Sequence, residues 1–524
     1  MISSIRKHIP LLLIIVLFVG LASILLGQSF WFEETWQAVS GLGFADILAN
    51  LQPPLFYLVL NFAAIFSYSE WWLRLWTALI PSVLSIWGIY VLAKKISTRA
   101  VAILCSLFLA TNSLFIYHAQ ELGPYALTTL FVIWSWMLLL EHTGFGKDSF
   151  KIKRSSTTDK LFKFFPISHD LFLFLLCSIL GLYTSYFYFF VLASQLIYLV
   201  IKKYYRSLGW TAFICTIIYL PWLPSMYRQI EATQTLQTAF PGFENIIGFS
   251  IMRAPALTFG RFVFGMPDIS ISLFYLLTLA ILAIITTLLL FSYSKKDFKL
   301  QKNNLALVAF MLLMPALLTW LASLFFPALQ PRRVLFLLPF FYLTLSFFLL
   351  GIKLNIKLKK KKIASPIYSY LAVLVFLFIN GYGVLSYLNN PALQREDWRG
   401  VIAEVKKETP QEQTLILFAY NNMLPPWRWY AETTGGKTYA VLSTQSYNLD
   451  LEQGSFANIA PLINNYRFVV VFDYLRALTD QSNLLIETLE DNGYKVWREI
   501  DRPGVGRVTI FISGATIHAS LVEN

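Results

Sequence analysis

The chain has 524 residues, of which 57% are hydrophobic and only 14% are charged. Soluble globular chains carry roughly 25% charged residues, so this composition excludes an ordinary soluble globular protein and indicates a membrane protein. The net charge of +13 is accompanied by no nucleic-acid-binding signature, and we expect it to face anionic lipid.

Apolar segments of near-spanning length recur along residues 1–389. A helix that crosses a bilayer needs about 20 residues, and eleven segments approach that length. They are 11–27, 72–93, 100–117, 123–140, 169–184, 186–201, 209–224, 269–293, 304–326, 334–352 and 364–387. Arg6 and Lys7 precede the first segment, so we predict an uncleaved first span with a cytoplasmic N-terminus.

Basic clusters occupy alternate connections between these segments. They are Lys94/Lys95/Arg99, Lys147 to Lys163, Lys202/Lys203/Arg206, Lys295 to Lys302, and Lys353 to Lys362. Because positive charge is retained on the cytoplasmic side, the remaining connections are predicted to lie outside. These are 28–71, 118–122, a corner near 185, 225–268 and 327–333. The apolar run 53–68 cannot span without reversing this alternation, so we predict an outer interfacial helix that starts at Pro53 and Pro54.

Residues 390–524 differ from the rest of the chain in charge and in the pattern of apolar residues. This part holds 12 Lys and Arg against 16 Asp and Glu, net −4, whereas the rest of the chain carries net +17. Helix-like and strand-like runs alternate around a Trp- and Arg-rich turn. They are 396–408, 414–420, 437–443, 457–465, 467–473, 479–492, 495–499 and 506–513. We predict a small extracytoplasmic α/β domain, a lid or docking module without a phosphate-binding loop.

Three groups of polar residues fall on the predicted outer side. The first outer loop carries Glu33 and Glu34 with no Lys or Arg between residues 31 and 54, the loop 117–125 carries His118, Glu121 and Tyr125, and Arg332 and Arg333 begin span ten. Carboxylates can take the proton of an attacking hydroxyl, and arginines can clamp a phosphate.

Structural alternatives exist for each group. The two glutamates could lie in a solvated loop, Glu121 could cap a helix, His118 could be an interfacial hydrogen-bonding residue, and the arginine pair could anchor to lipid headgroups. Arg253 and Arg261 are secondary candidates for phosphate contact. Paired carboxylates also suit Mg²⁺ or Mn²⁺. The three cysteines lie in apolar segments without CxxC spacing, which argues against a disulfide framework or a zinc site.

Seven stretches resemble, in order, motifs of the polytopic GT-C-type glycosyltransferases of the protein-mannosyltransferase and aminoarabinose-transferase type. They are FWFEETWQ (30–37), LQPPLFYLVLNFAAIFSYSEWWLRLWTAL (51–79), YHAQELGPYAL (117–127), GLYTSYFYFF (181–190), YLPWLPSMYRQ (219–229), PRRVLFLLP (331–339) and REDWRGVIAEV (395–405). The resemblance implies a fold with many membrane helices, an active site at the outer membrane surface and a polyprenyl-phosphate-linked sugar as donor.

The resemblance also assigns individual residues. Glu33 falls at the position of the family's catalytic Asp, Glu34 matches the neighbouring Glu, and Glu121 matches the acidic residue of the second loop. Tyr125 matches the tyrosine that follows it, and Arg332 matches the arginine of the late outer loop.

Four positions depart from the pattern. Glu33 is one methylene longer than Asp, Gln52 replaces a His or Lys, Gly123 replaces an arginine, and Ser185 replaces a histidine. Up to three cationic partners for a phosphate are thereby lost.

The residues and the resemblance together predict a membrane glycosyltransferase with about eleven transmembrane helices. It would move a sugar from a polyprenyl phosphate to an acceptor hydroxyl of a lipid, glycan or protein at the outer face of the plasma (inner) membrane. One alternative is a transporter or flippase of lipid-linked sugars, although no repeated set of spans is evident. Another is a non-catalytic lipid-binding scaffold, which the lost cations at Gln52 and Gly123 leave open.

Overall fold

The structure of the chain is a computed structural model. It describes residues 2–43, 47, 52–145, 168–239, 250–266, 276, 280, 283, 295–350, 355–358, 361–364, 366–418, 424–432, 439–443, 460–476, 480 and 483–514. The predicted span 269–293, apart from three isolated residues, and the basic cluster Lys147 to Lys163 lie outside the described residues. The chain divides into two compact units, which are described in turn.

The first unit comprises Met1–Leu26, Leu48–Gln229 and Ile247–Asn389 and is almost entirely helical. Its helices begin with α1 (Ile2–Ser23), and the second unit contributes α2 (Phe32–Gly41) next in the chain. The helices that follow are α3 (Leu55–Ala64), α4 (Glu70–Arg74), α5 (Ile80–Ile96), α6 (Arg99–Thr111), α7 (Ser113–Ala119), α8 (Tyr125–His142), α9 (His169–Leu182), α10 (Tyr188–Ile201), α11 (Tyr205–Tyr219), α12 (Leu223–Ala239), α13 (Ala254–Phe264), α14 (Lys295–Ala322), α15 (Leu338–Leu350) and α16 (Pro366–Asn389).

Several of these helices are long and apolar enough to cross a membrane. Among the described residues five qualify, and the pair α6 and α7 would make a sixth if it is one span. Five shorter apolar helices of 10–17 residues accompany them. Helix α8 is apolar on all sides and is buried between α5 and α9, as expected for a central helix of a bundle. The predicted membrane character is confirmed, and the count of eleven spans stays a prediction.

The segment 100–117, predicted as one span, is broken in the structure. Helices α6 and α7 meet at Asn112 with a bend of 65°. Asn112 has an extended backbone, and its side-chain oxygen accepts the N–H of Phe115, so it caps α7 as Asn residues commonly do. Because apolar residues continue on both sides of Asn112, the sequence pattern did not predict the break.

The second unit comprises Gly27–Ile47, Ile230–Ile246 and Asn390–Asn524. After α2 its helices are α17 (Trp398–Glu408), α18 (Leu424–Trp427), α19 (Ala460–Ile463) and α20 (Leu484–Asp491), and its strands are β3 (Thr414–Phe418), β4 (Ala440–Ser443), β5 (Phe468–Phe472), β6 (Tyr494–Arg502) and β7 (Gly506–Ser513). The first part of the outer loop 28–71, up to Ile47, thus groups with residues 390–524, whereas the sequence analysis placed the whole loop with the spans.

The five strands form one mixed sheet in the order β4-β3-β5-β7-β6. Strand β3 pairs in parallel with β4 and β5, so that Ile416 lies opposite Val441 and Val470, while β7 is antiparallel to β5 and β6. Every residue of β3 and β5 is buried, as expected for central strands covered on both faces. Leu485 and Leu489 of α20 pack on this core.

The secondary structure differs from the prediction at two further places. The Trp- and Arg-rich stretch after β3, predicted as a turn, is helical: α18 continues into a π-helical turn, Arg428–Glu432. Within the basic connection Lys353 to Lys362, short strands β1 (Asn355–Leu358) and β2 (Lys361–Ala364) form an antiparallel hairpin. Within the apolar run 53–68 the structure has helix α3, with Pro54 as its N-cap, and its position at the outer interface stays a prediction.

Candidate active site

Helix α2 of the second unit begins with the two carboxylates of the first outer loop. Glu33 and Glu34 follow Phe32, the first residue of the helix. Glu34 is fully buried, and its Oε2 accepts the backbone N–H of Trp31 at 3.3 Å, which is half of a capping box. Glu33 is only half-buried. The partial positive charge of the helix N-terminus favours both anions, and Glu33 is the more accessible of the two.

A third carboxylate, Glu396, lies at the same helix end and was missed as a site residue in the sequence. Its Oε2 accepts the N–H of Phe32 at 2.9 Å and the indole N–H of Trp398 at 2.6 Å, and its Oε1 accepts the hydroxyl of Tyr474 at 2.7 Å. Burial raises the pKa of the Glu396 carboxyl above its ordinary value, although these hydrogen bonds oppose the shift. The acidic residue within REDWRG was the available signal.

Tyr474 lies against Phe32 and Glu396. Its ring lies 6.4 Å from that of Phe32, and its hydroxyl donates to Glu396. Burial, then the negative charge of Glu396, its hydrogen bond and the charge of Glu33, raise the pKa of the Tyr474 phenol. The hydroxyl therefore remains a protonated donor beside two carboxylates.

In the first unit, the stretch 117–125 forms a buried polar cluster. Nδ1 of His118 and Oε2 of Glu121 share a hydrogen bond, and both side chains are almost completely buried. The ring of Tyr125 lies 5.2 Å from that of His118. The structure thus brings together three predicted site residues and gives His118 a hydrogen-bonding role, one of the two alternatives considered for it.

Gln120 fixes this stretch to two other helices of the same unit. Its amide nitrogen donates to the carbonyl of Ala22 at 2.7 Å, and its side-chain oxygen accepts the hydroxyl of Tyr387 at 2.6 Å. Because Gln120 is itself buried, these bonds satisfy both ends of its amide and hold the segment between α7 and α8 in place.

The four candidate arginines, all in the first unit, have different environments. Arg333 donates to the carbonyl of Pro327, and its guanidinium lies over the ring of Phe187. Arg261 donates to the carbonyls of Gly265 and Met266 beyond the end of α13, a favourable place for a cation. Arg332 is half-buried. Arg253 is exposed, and its side chain makes no hydrogen bond or ion pair with the described residues.

Arg74 is a cation that the sequence analysis did not select. It is completely buried at the end of α4, directly before a π-helical turn (Leu75–Leu79), and its Nη1 donates to the carbonyl of Leu26 at 2.8 Å. Such turns inside helices are frequent at functional sites. A charged residue in an otherwise apolar helical segment was the signal available in the sequence.

The positions that depart from the family pattern have local structural roles. The exposed Gln52 lies 3.4 Å from Gln229, and the Ser185 hydroxyl accepts the N–H of Phe187. The ring of Tyr125 covers Gly123, where an added Cβ would lie 3.1 Å from it. A larger side chain at residue 123 would therefore displace the Tyr125 ring.

A metal site at Glu33 and Glu34 would need further ligands. Among the described residues no group of three or more His, Cys, Asp or Glu side chains could hold a metal ion. No chemical step is therefore assigned to a cation.

The chain is similar in fold to solved structures of two glycosyltransferases with the GT-C fold, which confirms the fold class and the resemblance in fold that the sequence predicts. ArnT from Cupriavidus metallidurans in the apo state has a TM-score of 0.55 at 12% identity over 95% of this chain and 98% of ArnT. The same protein bound to undecaprenyl phosphate has a TM-score of 0.50 at 12% identity over 95% and 97%. The Archaeoglobus fulgidus oligosaccharyltransferase in the apo form has a TM-score of 0.51 at 12% identity over 93% and 73%. No family model and no curated protein matches the sequence.

Proposed function

We propose that the protein is a membrane glycosyltransferase that moves a sugar from a polyprenyl-phosphate donor to an acceptor hydroxyl. The observation that carries the proposal is a half-buried carboxylate, Glu33, on the first turn of α2 in a chain with the GT-C fold. A similar structure, ArnT, binds undecaprenyl phosphate, which supports a polyprenyl phosphate as part of the donor.

The proposed reaction is a single displacement. Glu33 accepts the proton of the acceptor hydroxyl while the acceptor oxygen bonds to the anomeric carbon. The bond from that carbon to the phosphate oxygen breaks with inversion, and the electron pair leaves with the polyprenyl phosphate. Glu34 orients this end of the helix through its bond to Trp31.

The remaining site residues are proposed to bind substrate. Arg332 and Arg333 stabilise the charge that develops on the leaving phosphate. Arg253 is the exposed candidate for a further phosphate contact, whereas Arg261 is engaged with backbone carbonyls. Glu121 binds sugar or acceptor hydroxyls.

The other candidates from the sequence are polar or aromatic groups that suit a sugar or a lipid phosphate. They are His118, Tyr125 and Gln52. We further propose that the enzyme lies in the plasma (inner) membrane with a cytoplasmic N-terminus, that residues 390–524 are extracytoplasmic, and that the acceptor is a lipid, a glycan or a protein. The basic clusters in alternate connections support this orientation.

Reconstitution of the purified protein into vesicles tests the activity. Vesicles would contain a panel of polyprenyl monophosphate sugars, and extracted envelope lipids, glycans and proteins would be offered as acceptors. We expect release of polyprenyl phosphate together with labelled product. Movement of the donor between leaflets without any bond cleavage would instead identify a flippase, and neither event with any donor would contradict the proposal.

A further inference from the structure

The segment that leads into α2 is held by residues that lie 364 to 400 positions later in the chain. Three successive backbone N–H groups, of residues 30, 31 and 32, donate in turn to Tyr430, Glu34 and Glu396. Of these three acceptors, only Glu34 is close in sequence to its donor. Backbone donors at a helix N-terminus have no partner within the helix, so the groups that accept from them determine where the helix starts.

The stretch 394–399 makes most of the other contacts to this segment. Gln394 accepts from Gln28 at 2.7 Å, the guanidinium of Arg395 lies over the ring of Trp31, and the N–H of Arg399 donates to Ser29 at 3.0 Å. One short stretch of residues 390–524 therefore contacts several positions between 28 and 32, and Glu396 is its acceptor for the first N–H of the helix.

The position of the Glu396 carboxylate is fixed by its own neighbours. Trp398 is fully buried and stacks on Phe472 of β5, which fixes its indole N–H toward the carboxylate. Tyr474 packs edge-on against Trp398 and donates from the other side. Gly504 has φ +77°, and an added Cβ there would lie 2.8 Å from Cγ of Glu396. The carboxylate is thus confined by the sheet and by a turn that requires glycine.

We propose that Glu396 is a positioning residue, which fixes the first turn of α2 and thereby the direction of the Glu33 side chain. The inference rests on the proposed function for its catalytic consequence, although its structural part stands alone. It assigns residues 390–524 a role in holding the catalytic helix, whereas the sequence suggested a lid or docking module. Glu396 acts through the N–H of Phe32 and does not touch the reacting atoms.

The consequence for catalysis follows from geometry. Catalytic groups must be held near their productive position, and a misplacement of about 1 Å can cost about 100-fold in rate. Without an acceptor on Glu396 the N–H of Phe32 and the indole of Trp398 both lose a partner, and the first turn of α2 can fray. Substrate-binding residues elsewhere are unaffected, so the loss should fall on kcat.

Three variants of the full chain separate positioning from general damage. Glu396→Ala removes the acceptor. Glu396→Gln keeps an oxygen for the two N–H donors and offers its amide nitrogen to the oxygen of Tyr474. Glu404→Ala is the matched control, because it removes a carboxylate of α17 that bonds Arg498 and Arg502 but makes no contact with residues 27–34 among the bonds described.

The readouts are kcat, the KM for the donor, and amide hydrogen exchange of peptides that cover residues 28–36. For Glu396→Ala we expect kcat to fall about 10- to 100-fold with KM within about threefold, and exchange at Phe32 to accelerate about 10-fold or more. Glu396→Gln should restore most of the wild-type kcat and most of the protection of Phe32 from exchange. Glu404→Ala should resemble the wild type in both readouts. If Glu396→Ala does not accumulate, Tyr474→Phe removes one donor to the carboxylate and should show a smaller change of the same kind.

Unchanged exchange at residues 28–36 in Glu396→Ala would overturn the inference, as would an equal loss in Glu404→Ala. Absence of transfer by the wild-type protein would overturn the proposed function instead, and the exchange experiment would still decide whether Glu396 holds α2.

Discussion

The Glu33 side chain stays half-buried on the first turn of α2, while Glu34 is buried and accepts the N–H of Trp31. The sequence shows two adjacent carboxylates and gives no reason to separate them. The structure separates them by burial: a capping role accounts for the buried Glu34, and we propose the chemistry for the more accessible Glu33. Glu396 could not be placed here from sequence, because its contact with Phe32 joins residues 364 positions apart.

Burial of Glu396 also predicts a dependence of stability on pH. Its pKa in the folded protein is raised above the unfolded value. The contribution of this group to stability is therefore fully present below the ordinary carboxyl pKa and is lost as the pH rises through the raised value. The amide of Glu396→Gln does not titrate, so the unfolding temperature of the wild type should fall relative to that of the variant as the pH rises above the ordinary carboxyl pKa.

Thermal unfolding of the two proteins in the same detergent, at several pH values, measures this difference. Arg395 and Tyr474 are present in both proteins, so they serve as a common background. A difference in unfolding temperature that stays constant with pH would contradict a raised pKa of Glu396. A difference that grows in favour of the wild type as the pH rises would contradict it as well.

The break between α6 and α7 shows what apolar patterning misses at the scale of an element. Asn112 donates to the hydroxyl of Tyr342 at 2.7 Å and to the carbonyl of Phe262 at 3.2 Å. Asn380 donates to the carbonyl of Phe108 at 3.0 Å and lies 3.1 Å from the same tyrosine hydroxyl. These buried bonds join four helices around the bend that leads to His118 and Glu121. In the sequence, Asn112 and Asn380 are polar residues in apolar segments, and nothing there indicates these long-range bonds.

Loss of this network should destabilise the protein. Asn112→Ala removes the donor to the buried Tyr342 hydroxyl oxygen and one of the two donors to the Phe262 carbonyl, which Tyr342 also contacts. This loss should cost about 1–3 kcal/mol in the free energy of unfolding. Asn389→Ala is the matched control: it removes one local bond to Leu385 on an exposed face of α16 and should change stability by about 0.5 kcal/mol or less. Denaturant titration in detergent measures both, and equal effects of the two variants would refute a special role for the bend.

For the whole molecule, composition and apolar segments predicted the membrane class, and alternating runs predicted the small domain. Strands β3, β5 and β7 lie where those runs fall. The sheet order β4-β3-β5-β7-β6 and the grouping of residues 27–47 with residues 390–524 depend on long-range contacts that no local pattern encodes. The ordered set of weak motifs nevertheless indicated the GT-C fold, which similar structures at 12% identity confirm.

The central claim is that Glu33 is the base of a transfer reaction, and the rate of a single turnover by the reconstituted full-length protein tests it most directly. Glu33→Gln should bind donor but transfer sugar about 10²- to 10⁴-fold more slowly, because the acceptor proton has no carboxylate to receive it. Glu34→Gln can still accept the N–H of Trp31 and should remain within about 10-fold of the wild type. Normal transfer by Glu33→Gln would contradict the account.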